Sequence, residues 1–229
     1  MSKNIINIGL PSKGRLKHDT INIFKKNKLN LFSERGERDL FGYIKKLPNV
    51  KIIYLHAREC IEQLSLGNID IGFSGYDLFK ESEVNVQNKI LINKRYNFGN
   101  ANLVLAIPDL WIDVQTLLDL DEVADEFKKK KKRLLRVATK YPNLTRQFLY
   151  SKGVTQFQLV KSLGSTEVAP FTGTAEIISD ITSTGSTLKA NNLRILKDGE
   201  ILKSQACLMI SKLSLKKSRI KKIINLLRR

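Results

Sequence analysis

Residues 171–193, FTGTAEIISDITSTGSTLKANNL, read as strand, turn and helix in succession. Ile177, Ile178 and Ile181 make an apolar strand that carries two carboxylates, Glu176 and Asp180. A hydroxyl-and-glycine turn follows, Thr182-Ser183-Thr184-Gly185-Ser186-Thr187, and a short helix begins near Leu188. Such a turn at a helix start offers free backbone N–H groups, small hydroxyls and the positive end of a helix dipole, which together cradle a phosphate. The two acids upstream suit sugar hydroxyls or a metal-bound diphosphate. A phosphate that arrives with a ribose attached would use both halves of the segment. The same residues also suit a plain strand-to-helix connection, because Ser and Thr are ordinary caps and Gly an ordinary turn residue. The turn is no Walker loop, since no Lys follows Gly185, and it lacks the three-glycine dinucleotide fingerprint.

Upstream, residues 134–139 (LLRVAT) read as a buried strand. Lys140-Tyr141-Pro142-Asn143 then turns into a helix, with Asn143 as its expected cap and Gly153 as its stop. The strand FQLVK, residues 157–161, leads to Gly164-Ser165-Thr166-Glu167, a second glycine and hydroxyl turn. Near the chain start, residues 5–9 form a strand, followed by a basic glycine loop and a helix with Leu16, Thr20, Ile23 and Phe24 on one face. Lys13 and Arg15 stand at the carboxyl end of that strand, where open α/β sheets place their ligands. Two solvated cations beside a turn are the competing reading.

Strand VKIIYL (50–55), helix ARECIEQLSL (57–66) stopped by Gly67, and strand IDIGF (69–73) running into Ser74-Gly75-Tyr76-Asp77 spell out βαβ grammar. That grammar implies a parallel sheet with right-handed crossovers. Arg58 opens the helix at the wrong end for the dipole and serves a ligand or a carboxylate unless it is simply solvated. Residues 36–42 read as irregular, and 109–127 as an acidic helix of the second unit. The lysine run 128–133 reads as a solvated loop or helix end, and 213–229 as an amphipathic tail helix with a basic face. A change of unit falls near 93–102. The expected architecture is α/β, with residues 1–97 plus 194–229 forming a first domain and 98–193 a second that carries the phosphate turn.

The 229 residues suffice for one large domain or two small ones, and 42% hydrophobic with 27% charged residues is ordinary for a globular chain. No apolar run reaches the length of a membrane span, and the start lacks the pattern of a signal peptide, so a cytoplasmic location is expected. Cys60 and Cys207 have no metal-ligand spacing and read as free thiols. The net charge of +18 suits either a nucleic-acid binder or an enzyme of phosphorylated anions. The basic runs lack interleaved aromatics, which disfavours nucleic acid. With only His18 and His56, no G-x-S-x-G elbow and no His/Cys cluster, the sequence argues against a covalent nucleophile with a His base. Positioning and charge stabilisation on a phosphorylated substrate remain.

Five stretches in order resemble the ATP phosphoribosyltransferase family: LPSKGRL (10–16), IDIGFSGYDLFKE (69–81), RVATKYPNL (136–144), GSTEVAPFTGTAE (164–176) and SDITSTGSTLKANNL (179–193). The resemblance implies transfer of phosphoribosyl from 5-phosphoribosyl-1-diphosphate to N1 of the ATP adenine with Mg²⁺ present, releasing diphosphate, as the first step of histidine biosynthesis. It implies two α/β domains like those of type II periplasmic binding proteins, with a cleft between them. It assigns the 5′-phosphate to Ser183, Thr184, Gly185, Ser186 and Thr187, and sets Asp180 and Glu176 beside the ribose and its diphosphate. Lys13 and Arg15 would neutralise diphosphate or ATP phosphates, and Arg58, Asp77, Lys140 and Glu167 would line the cleft. No residue is assigned as a direct metal ligand. Glu176 stands where the family usually has Asp. The length resembles the family's short form, which implies self-association and a hetero-octamer with a regulatory subunit similar to histidyl-tRNA synthetase. A solute-binding or anion-sensing domain of the same bilobal fold is the non-enzymatic alternative.

Overall fold

The computed structural model describes residues 5–33, 39–162 and 164–227, and the chain divides into two compact α/β units, 1–99 with 205–229 and 100–204. The first unit runs β1 (Ile6–Pro11), α1 (Gly14–Lys26), β2 (Leu31–Phe32), β3 (Phe41–Ile44), β4 (Val50–Leu55), α2 (Ala57–Leu66), β5 (Ile71–Gly75), α3 (Tyr76–Glu81), α4 (Val84–Gln87) and β6 (Ile90–Arg95). The second comprises β7 (Ala101–Pro108), α5 (Leu117–Lys131), β8 (Leu135–Thr139), α6 (Pro142–Ser151), β9 (Phe157–Lys161), β10 (Ile177–Thr182), α7 (Ser186–Ala190) and β11 (Leu193–Ser204). The chain then returns to the first unit as β12 (Ala206–Ser211) and α8 (Ser218–Leu227).

The first sheet has the order β2-β3-β4-β1-β5-β12-β6, with β4, β1 and β5 parallel. Strands β1 and β5 are buried on both faces, as parallel strands covered by helices are, while β4 exposes Lys51. Gly9 and Gly72 leave room for α2 to lie directly on the sheet. A Cβ at residue 72 would stand 2.6 Å from Cys60 Sγ. Burial pushes the Cys60 thiol up to about 12, so it is a packing group rather than a nucleophile. The tail packs on a separate core cluster of this unit, with Ile6, Ile8 and Ile52, through Ile220, Ile223, Ile224 and Leu227. Buried Asp70 pins its start, accepting hydrogen bonds from the Asn7 amide at 2.9 Å, the Ser214 hydroxyl and Lys217 Nζ at 2.6 Å. The tail helix thus covers the first unit's core.

The second sheet has the order β11-β7-β10-β8-β9, in which β10, β8 and β9 are parallel and β7 is antiparallel to both its neighbours. Residues 194–204 therefore belong to the second unit, not the first as expected. They continue β11, which pairs along β7 from Leu193 to Ser204. Sequence alternation could not say which sheet that strand would join. Other boundaries shift for local reasons. The acidic stretch 109–127 becomes helical only at Leu117, after a Thr116–Asp119 capping box. The preceding turn is held by Arg194, which donates to the Trp111 and Val114 carbonyls at 2.6 Å each. The lysine run is the end of α5, closed by Lys132 in the left-handed region. Asn143 is not the cap of α6, because Pro142 takes the first helical position. Within 36–42, Gly42 lies in β3, while residues 36–38 fall outside the described residues.

Candidate active site

Because β10, β8 and β9 are parallel neighbours, their carboxyl ends share one edge of the second sheet, and each ends in a polar turn. The turns surround a cavity of about 480 Å³. Lys140 follows β8, Gly164, Ser165 and Glu167 follow β9, and Asp180, Thr182, Ser183, Thr184 and Thr187 come from β10 and its turn; all line the cavity. One cation, two carboxylates and five hydroxyls converge there with little apolar wall beyond Ile181 and Leu188. That donor set suits a phosphorylated polyol. A second cavity, about 300 Å³ beside α8, is lined by Leu47, Val50, Ile223 and Leu226 with two cations, and has no acid or hydroxyl.

The hydroxyl and glycine turn after β10 is shaped by its own side chains. Thr182 Oγ1 accepts the Gly185 N–H at 2.9 Å, and Thr184 Oγ1 accepts the Ser186 N–H at 3.3 Å. Gly185 holds φ +75°, a backbone that glycine adopts without strain. Among the described residues, no hydrogen bond to the Ser183 or Thr184 amide occurs. Helix α7 has only five residues, so the turn offers local N–H and hydroxyl groups rather than a long helix dipole. A Cβ at residue 185 would meet nothing within 4 Å, so Gly185→Val strains the turn without a clash. We expect that variant to remain folded and to raise the KM for a phosphorylated ligand about tenfold. Steady-state kinetics beside a thermal melt measure both.

Asp180 is half-buried, and its Oδ1 accepts the Ile181 N–H at 2.8 Å, which leaves the second oxygen for other partners. Glu176 does not join it. It precedes β10, while the turn follows the strand, a separation of about 20 Å in an extended chain. There it accepts from Arg133 at 2.9 Å, from Arg136 Nη2 at 2.6 Å and from the Arg136 N–H at 2.8 Å. Burial alone would raise its pKa; the two guanidiniums and the amide outweigh that and hold it at about 2. The sequence reading of Glu176 as a ligand of the sugar diphosphate is corrected. Strand alternation linked two acids that stand at opposite ends.

In the first unit, β4, β1 and β5 are also adjacent and parallel, so the residues after them share one sheet edge. Arg58 follows β4, Lys13 and Arg15 follow β1, and Asp77 follows β5. Lys13, Arg15 and Arg58 are exposed. Arg15 Nε lies 3.6 Å from Asp19, and His56 caps α2 by accepting the Arg58 N–H. Asp77 is 6% exposed, and its carboxylate fills the space that a side chain at Gly75 would need. Burial withdraws it from the ligand-facing role expected of it. Sequence reasoning quoted Thr182, Thr139 and Ser179 within its motifs without giving any of them a role of its own, and did not name Thr145. Thr182 holds the turn, and Thr139, Thr145 and Ser179 form a buried hydroxyl cluster that only packing reveals.

Among the described residues no group of three or more His, Cys, Asp or Glu could hold a metal ion, and no helix is long and apolar enough to cross a membrane. The family model described as ATP phosphoribosyltransferase matches residues 56–229. An ATP phosphoribosyltransferase of Nitrobacter winogradskyi is 49% identical over 205 residues, covering 90% of this chain and 63% of that protein. The one from Chelativorans sp. is 44% identical over 208 residues, 90% of each. The chain thus spans less than two thirds of the Nitrobacter relative. Among solved structures, the ATP phosphoribosyl transferase (HisG:HisZ) complex from Thermotoga maritima matches with TM-score 0.73 and 25% identity, over 98% of this chain and 97% of that one. A substrate-binding protein of an amino acid ABC transporter matches with TM-score 0.57 at 12% identity, covering 98% of this chain and 92% of that one. That likeness shows the shared fold of two α/β units, as the resemblance implied. Sequence kinship over nine tenths of its length, with a family model over residues 56–229, makes this chain a member of the ATP phosphoribosyltransferase family.

Proposed function

We propose that this chain transfers phosphoribosyl from 5-phosphoribosyl-1-diphosphate to N1 of the ATP adenine and releases diphosphate, the reaction that opens histidine biosynthesis. One observation carries the reading: Thr182, Ser183, Thr184 and Thr187 of the hydroxyl and glycine turn, Asp180 and Lys140 converge on a single cavity at the carboxyl edge of three parallel strands, with Gly185 and Ser186 of the turn outside its lining. The reaction breaks the C1–O bond to diphosphate and forms a C1–N1 bond. It needs a neutralised leaving group, a fixed ribose and an aligned adenine, and no protein nucleophile.

Each residue has a part in this reading. Ser183, Thr184, Gly185, Ser186 and Thr187 hold the 5′-phosphate through amides and hydroxyls. Asp180 binds the ribose hydroxyls, and its negative charge stabilises the positive charge that develops at C1. Lys140 neutralises phosphate oxygens, and Glu167 lines the same cavity. Lys13, Arg15 and Arg58 contact ATP and diphosphate oxygens. Asp180 and Glu167 fit Mg²⁺, which binds through one or two carboxylates together with substrate phosphates. When bound, that ion supplies charge neutralisation to the departing diphosphate. We further assign the chain to the cytoplasm and to an assembly with itself and a regulatory subunit. The structural neighbour's name, a HisG:HisZ complex, supports the assembly with a second kind of subunit.

Diphosphate release by the purified chain from ATP, 5-phosphoribosyl-1-diphosphate and Mg²⁺ tests the proposal. The expected result is turnover that requires both substrates. Saturable binding of the ribosyl diphosphate without turnover assigns the missing step to the partner subunit. Neither binding nor turnover overturns the reading. The solute-sensing alternative is not favoured, because relatives of 44–49% identity carry the enzyme's name.

A further inference from the structure

Beneath the cavity lies a chain of hydroxyls that does not line it. Thr139 at the end of β8, Thr145 on α6 and Ser179 on β10 are 1%, 0% and 0% exposed. Thr145 Oγ1 donates to Ser179 Oγ at 2.8 Å and lies 3.3 Å from Thr139 Oγ1. Thr139 Oγ1 in turn accepts the Tyr141 N–H at 2.9 Å. Each hydroxyl has a single proton. Thr145 uses its proton on Ser179, so Thr139 must donate the bond between the two threonines. The chain therefore has one direction, from the Tyr141 amide through Thr139 and Thr145 to Ser179.

These bonds join the turns after β8 and β9 to strand β10. The Thr139 hydroxyl fixes the turn that presents Lys140. Its carbonyl accepts the Ser162 N–H at 3.0 Å, at the start of the turn after β9. Ser162 continues the network to buried Thr166, whose Oγ1 lies 3.0 Å from Ser162 Oγ. The far end, Ser179, immediately precedes Asp180. The surrounding positions Val137, Ala138, Ile177 and Ile178 are apolar, and an apolar core here would avoid the desolvation that three hydroxyls incur.

We propose that Thr145 is a positioning residue of this site: by bridging Thr139 to Ser179 it sets the Lys140 turn against the end of the strand that bears Asp180. The ligand's identity in this proposal rests on the functional reading above, whereas the geometry does not. Thr145→Val keeps the side-chain shape and removes the bridge. Thr145→Ser keeps the bridge and removes a methyl group. In the Val variant the KM for 5-phosphoribosyl-1-diphosphate rises about tenfold, the effect of losing one well-placed contact. Exchange of the Tyr141 amide with solvent also accelerates, and the Ser variant restores both. Ser179→Ala removes the far end of the chain, moves both readouts in the same direction, and serves in place of the Val variant should that one not fold. If the Val and Ser variants lose stability alike and kinetics stay unchanged, the positioning role is overturned. Should the wild type neither bind nor turn over the ribosyl diphosphate, amide exchange decides alone. Faster Tyr141 exchange in Val but not Ser upholds the positioning while the functional reading falls, and unchanged exchange overturns the positioning.

Discussion

Asp180→Asn lowers kcat/KM for phosphoribosyl transfer by about 10²–10³-fold, the range seen when one preorganised electrostatic group is removed from a transition state. The substitution separates charge from shape. Asn retains the Oδ1 acceptor for the Ile181 N–H, bonded at 2.8 Å, and so preserves the end of β10. What disappears is the carboxylate's negative charge, which the proposed reaction sets beside the ribose where positive charge develops as diphosphate departs. The thermal midpoint should move by only about 2 °C or less, because no buried partner is left unpaired. Steady-state kinetics and a melt measured side by side decide the matter. Unchanged kcat/KM would remove Asp180 from the chemistry.

The other acid of the same segment should behave in the opposite way. Glu176→Gln costs up to about 3 kcal/mol of stability, while the KM for the ribosyl diphosphate stays at the wild-type value. The variant leaves Arg133 and Arg136 without their shared carboxylate, although both are partly exposed and water recovers some of the loss. The pH dependence follows from the direction of the shift. The Glu176 pKa is lowered from 4.5 to about 2 in the folded chain, so its contribution is complete above about pH 4.5. It is lost as pH falls from there toward 2. Denaturant unfolding across that window should show wild-type stability declining more steeply than that of Glu176→Gln. Equal slopes would mean the ion-pair cluster contributes nothing, and a raised KM would return Glu176 to the site.

The contrast between Asp180 and Glu176 shows what can be read from a linear chain. Both carboxylates belong to one short segment beside one glycine turn, and local chemistry suggested one role for both. Strand geometry separates them, because a few residues of extended chain carry a group from one sheet edge to the other. Local features were legible where short-range physics produces them. The βαβ order, the turn residues at Gly185 and Gly67, the strand at 157–161 and the family motifs all depend on neighbours in sequence. So did the polar turns after β8, β9 and β10, whose Lys140, Glu167, Asp180, Ser183, Thr184 and Thr187 do meet at one cavity.

What needed the third dimension was every property set by partners distant in sequence. β11 joins the second unit because β7 offers it an antiparallel edge, a pairing that alternation of side chains cannot specify. Asp77 turns inward because Gly75 leaves space for its carboxylate. Thr139, Thr145 and Ser179 form one directed chain because β8, α6 and β10 pack together, although residues 145 and 179 are far apart in sequence. Composition and spacing thus specify which groups a turn can offer, whereas burial and hydrogen-bond partners, which exist only after packing, specify which of those groups remain for a ligand.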